Sequence, residues 1–62
     1  MNAYEIQQHT GHQWEPIPDG DFLTLAEAVD GVAELERNLG WTNLRIVEVE
    51  VAERYRRVVG VV

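Results

Sequence analysis

The sequence contains no cysteine and no lysine, and only two prolines. It also has no apolar run approaching the roughly 20 residues of a membrane-spanning helix. Without cysteine there are no disulfides, no thiolate metal sites and no cysteine nucleophile. Without lysine, five arginines face eleven aspartates and glutamates, a formal charge of −6 over 62 residues. That balance argues against direct nucleic-acid binding, which needs a positive field facing the phosphates. It argues equally against docking on an anionic membrane. Met1 to Gln8 shows no basic region followed by an apolar core, so no signal peptide is expected and the cytoplasm is the expected compartment. Repeats, linkers and low-complexity segments are absent too. Aliphatic and aromatic residues run through the whole chain, which excludes disorder despite the charge.

Residues 1–62 are expected to form one domain. A chain this short buries only about 60% of the surface its unfolded form exposes, so its stability margin is thin. Small folds add disulfides, a metal or a partner subunit. With disulfides excluded, good local structure, self-association or a ligand must make up the difference.

Ala3 to Ile17 reads as a β-hairpin, with Tyr4 and Ile6 alternating with Glu5 and Gln7, and His12 and Trp14 with Gln13 and Glu15. A three-residue loop, His9-Thr10-Gly11, pairs Gln8 with His12 and Ile6 with Trp14. It also places Gly11 at the left-handed position of a type I turn with a G1 bulge. Pro16 and Pro18 are expected to end the strand at a sheet edge, because they lack an N–H. Asp19-Gly20-Asp21 follows as a turn.

The helix start is the clearest signal. Thr24 is a good N-cap and Glu27 completes a capping box. Leu25, Ala28, Val29, Val32, Leu35 and Leu39 recur on one helical face, with Glu27, Asp30, Glu34 and Arg37 on the other. Gly40 supplies the left-handed stop and Trp41 the apolar contact after it, giving a helix over about 25–39. Leu44 to Val51 reads as a strand in which Val47, Val49 and Val51 oppose Glu48 and Glu50. After a turn near Ala52-Glu53-Arg54, Tyr55 to Val62 is the last strand. The expected register pairs Val51 with Tyr55, Val49 with Arg57, Val47 with Val59 and, on the other face, Glu50 with Arg56. The expectation is an α+β domain in ββαββ order: a four-stranded, mostly antiparallel sheet with one helix on one face.

Candidate chemistry is sparse. His9, His12 and Glu15 are ligand types that suit Zn²⁺, but a turn histidine and a strand histidine do not converge, and nearby carboxylates favour protonated imidazole. Asp19, Asp21 and Glu15 lack the spacing of a Ca²⁺ loop and read as turn residues before a helix N-terminus. No Ser–His–Asp order, phosphate loop or Lys base is present, and a one-helix domain leaves little room for a pocket. No catalytic residue, metal or cofactor is therefore expected.

Two features suggest binding. Glu27, Asp30 and Glu34 climb about 10 Å of exposed helix, with Glu48 and Glu50 available on a sheet face. This reads either as a solubilising surface or as an imitation of nucleic-acid phosphates. Val58-Val59-Gly60-Val61-Val62 is apolar on both strand faces, as in strands covered on both sides; it reads either as a central strand or as a contact through Val59 and Val62. The leading expectation is a non-enzymatic interaction module that forms a homodimer or docks on a protein. The alternatives are an acidic inhibitor, of the phage type, that occupies a basic nucleic-acid-binding or defence protein, and an accessory subunit with a weak His/carboxylate metal site.

Overall fold

The computed structural model describes residues 2–50, 52 and 55–61. The elements are β1 (Asn2–His9), β2 (Trp14–Phe22), α1 (Leu25–Glu34) with a π-helical turn (Leu35–Leu39), β3 (Leu44–Glu50) and β4 (Tyr55–Val61). The ββαββ order holds. The sheet runs β2-β1-β3-β4 and every pairing is antiparallel.

The alternation of side chains sorts the two faces. Ile6 stands opposite Ile46, and Gln8 opposite Leu44. Ile6, Leu44 and Ile46 point at the helix, where they form the core with Ala28 and Val32. Phe22, Ile17, Leu35, Trp41 and Val59 pack around this cluster. The helix crosses β2, β1 and β3, and among the described residues no Cα of β4 comes within 8 Å of its own. Of the expected apolar helix stripe, only Ala28 and Val32 are buried. Leu25, Val29 and Leu39 stay substantially exposed, because a single helix over three strands has too little sheet beneath it.

The helix start forms as expected: Thr24 Oγ1 accepts the Glu27 N–H at 3.2 Å and donates to the Glu27 carboxylate at 2.9 Å. The helix end is wider than expected. Gly40 is left-handed (φ 67°), its N–H is shared between the Glu36 and Leu35 carbonyls, and the Trp41 N–H also reaches back to Leu35. Those longer reaches close the last turn as a π-helix and leave Leu39 outside the core stripe.

The hairpin register differs from the expected one. His9 pairs with Trp14, Gln8 with Glu15 and Gln7 with Pro16. The loop is thus one residue longer and spans 10–13. Thr10 closes it by donating both its N–H (3.0 Å) and its hydroxyl (3.2 Å) to the Gln13 carbonyl. Gly11 does take a positive φ of 99°. The shift moves Trp14 off the core face, where it gains other partners described below. Pro16 and Pro18 do not end the strand; they lie within β2, which is indeed a sheet edge. Asp19-Gly20-Asp21 is likewise part of β2, not a free turn. The pairing jumps from Gln7–Pro16 to Glu5–Asp21, and the extra β2 residues bulge out through a left-handed Asp19 (φ 57°).

The last register also shifts by one. Glu50 faces Tyr55, Val49 faces Arg56, Glu48 faces Arg57 and Val47 faces Val58. A bulge at Val59 then sets Ile46 against Gly60 and Arg45 against Val61. The expected Glu50–Arg56 pair is replaced by Arg57–Glu48 (2.7 Å) and Arg56–Glu5 (2.9 Å). Without the bulge, this register would set Val61 opposite Leu44 on the core face; the extra residue at Val59 turns Val61 out, opposite Arg45. The expected Val51–Tyr55 pairing and the contact residue Val62 lie outside the described residues.

Candidate functional site

The helix-free face of the sheet carries Glu5, Gln7 and His9 of β1, Arg45, Val47 and Val49 of β3, Trp14 and Pro16 of β2, and Arg56, Val58 and Val61 of β4. Much of it is roofed by a chain of polar contacts. Arg56 reaches across β3 to Glu5, so the ion pair arches between Val47 and Val49. Glu5 also accepts from Gln7 Nε2, and Gln7 Oε1 accepts from Arg45 Nε at 2.7 Å. The Arg45 guanidinium lies 4.3 Å from the Trp14 ring centroid, and the Trp14 ring meets His9 edge to face at 5.1 Å. Under this roof Val47 is only 2% exposed although no helix covers it. The roof stops at β4, where Val58 is 45% exposed and Val61 74%.

The five described interaction candidates with acidic side chains do not form one surface. Glu27, Asp30 and Glu34 stand exposed on α1. Glu48 is buried on the helix side of the sheet, where its carboxylate accepts from Asn2 Nδ2 (3.1 Å), the Tyr4 hydroxyl (3.1 Å) and Arg57 (2.7 Å). Burial pushes its carboxyl pKa up, but the bonds from Tyr4 and Asn2 and the Arg57 cation outweigh that and hold it below the ordinary value. The same bond to Glu48, with burial, raises the Tyr4 phenol. The Glu50 carboxylate accepts the Ala52 N–H at 3.1 Å. Val59 is half-buried against the core, so the outward apolar residues of β4 are Val58 and Val61.

His9 Nδ1 accepts the Gly11 N–H at 3.1 Å, and His12 is exposed in the loop. Among the described residues no group of three or more His, Asp and Glu side chains stands together as a metal-ligand set. No described helix is long and apolar enough to cross a membrane. Against the expectation of little room, a groove of about 400 Å³ runs between the helix end and β2.

The polar roof was missed because it joins residues from all four strands, and only the register brings them together. The groove had one sequence signal, Gly31 inside an apolar helix stripe. A Cβ there would lie 2.9 Å from Phe22 Cζ and 3.1 Å from Ile6 Cδ1, so the glycine marks a close approach of β2 and the helix. No protein-family model matches this sequence, and no curated protein or solved structure matches it closely enough to carry an argument.

Proposed function

We propose that the chain is a non-enzymatic interaction module that pairs with a second copy of itself along β4. The observation that carries this reading is the pairing of a free sheet edge with Val58 and Val61, both exposed on the side that no helix covers. An unshielded apolar edge is a template for another strand. β4 is also where two copies of a −6 chain meet without acid facing acid. Tyr55–Val61 contains no carboxylate, and its arginines are neutralised within the chain by Glu5 and Glu48. An antiparallel β4–β4 contact around a twofold axis continues the sheet and leaves both helices, with Glu27, Asp30 and Glu34, on the outside.

Burying a valine contributes about 1.5–3 kcal/mol, against an association cost of several kcal/mol. The dimer is accordingly expected in the micromolar range of dissociation constants. We place it in the cytoplasm, with no direct contact to nucleic acid or membrane. Mimicry of nucleic acid has less support, because Glu48 is spent on Arg57 and the acidic stripe is confined to the helix.

Sedimentation equilibrium near about 100 μM tests the reading, a concentration above a micromolar constant. The native chain should weigh about twice its 7.1 kDa mass, and Val58→Glu should return it to one copy. A native chain that sediments as a single copy contradicts the proposal.

A further inference from the structure

At the opposite edge of the sheet, three departures from regular backbone converge on one groove. The π-helical turn Leu35–Leu39 forms one wall, and the β2 bulge with its left-handed Asp19 forms the other. π-turns and bulges recur at binding sites because each re-aims side chains that regular structure would point elsewhere. Ile6, Ile17, Phe22 and Leu35 make the floor, and Asp19 and Glu34 stand among the lining residues at the rim. Asn38 adds an amide, and no arginine or histidine lines the groove. At about 400 Å³ it falls within the range of small-molecule sites.

We infer that this groove binds a small organic cation, an ammonium or guanidinium group on an apolar body. The apolar floor takes the body, and the two carboxylates, with no competing cation in the lining, take the head group. A free small molecule fits better than a peptide. A peptide would bind by adding a strand to β2, and Pro16 and Pro18 withhold the N–H groups that such pairing uses.

Three probes decide the matter by amide chemical shifts on the native chain: 4-phenylbutylammonium, 4-phenylbutyrate and methylammonium. The first should give saturable shifts confined to residues 6, 17–22 and 31–39, and bind at least about tenfold tighter than the carboxylate, as two exposed carboxylates near a cation allow. Methylammonium, which lacks the apolar body, should not saturate. An Asp19→Asn, Glu34→Gln variant should bring the two phenyl probes to within about twofold of each other. Asparagine tolerates the left-handed backbone of Asp19 and both sites are exposed, so this variant should fold. Should it not fold, the native chain's preference between the two phenyl probes still decides. Equal binding of the phenyl probes, saturation by methylammonium, or shifts centred elsewhere would overturn the inference.

Discussion

The two edge strands of the sheet are protected very differently. β2 carries two prolines, a bulge and a left-handed Asp19, and the helix packs against it through Phe22 and Gly31. β4 carries no proline, lies beyond the helix and leaves Val58 and Val61 exposed. Natural sheets blunt their edges against unwanted pairing. The contrast between a blunted edge and an apolar one is what the proposed pairing along β4 rests on. The difference also divides stability: the core lies under the helix over β1 and β3, and β4 adds to it mainly through Val59.

The largest effect should come from the helix side. Ile6 is 1% exposed and touches both the core and the groove floor, so Ile6→Ala should cost about 2–5 kcal/mol, read as a lower urea midpoint. With total stability of only a few kcal/mol for so small a chain, the variant should be largely unfolded. A midpoint close to the native one would mean that the core has been placed under the wrong strands.

Removing the shield from β2 should erase the difference between the edges. Pro16→Thr with Pro18→Thr restores two N–H donors, and sedimentation should then show species heavier than the dimer. If the assembly stays unchanged, the prolines are not what closes that edge.

A smaller effect concerns Glu48, which anchors β4 to β3 and β1. Its folded pKa is depressed, so the unfolded chain takes up the proton first as acid is added. The stabilisation is present above the ordinary carboxylate range and is lost as pH falls through the folded value. Urea midpoints should therefore drop on acidification, and Glu48→Gln should flatten that part of the profile. An identical acid limb in the variant would assign the loss to other carboxylates.

The smallest effect is at Asp19. Its positive φ is strained for any residue with a Cβ, though aspartate tolerates it better than most. Asp19→Gly relieves that strain but frees the unfolded chain, so stability read from the urea midpoint should change by no more than about 0.5 kcal/mol, in the stabilising direction. A large loss would show that the Asp19 side chain holds the bulge together.

Elements governed by local chemistry were legible in the sequence. Thr24 and Glu27 mark the helix start, Gly40 and Trp41 mark its end, and Pro16 and Pro18 mark an edge, because each signal acts within a few residues. What failed was register. Alternation with a three-residue loop ending at a left-handed Gly11 puts Trp14 opposite Ile6, yet a loop one residue longer puts it beside His9 and under Arg45. The expected register sets Arg57 against Val49, yet it faces Glu48, because Glu50 rather than Val51 stands opposite Tyr55 and the whole strand shifts from the turn onward. The candidate surface inherits both errors. The acids of the helix were legible as a stripe, whereas the burial of Glu48, the polar roof and the groove depend on strand pairings between distant residues.

The central claim, that β4 is the working edge and β2 the closed one, is tested most directly by amide hydrogen exchange at two protein concentrations. One should lie well below and one well above a micromolar dissociation constant. Amides of Tyr55–Val61 that point away from β3 should gain protection at the higher concentration, while those of Trp14–Phe22 stay unchanged. Protection that is independent of concentration in β4, or that rises in β2 instead, would contradict the account.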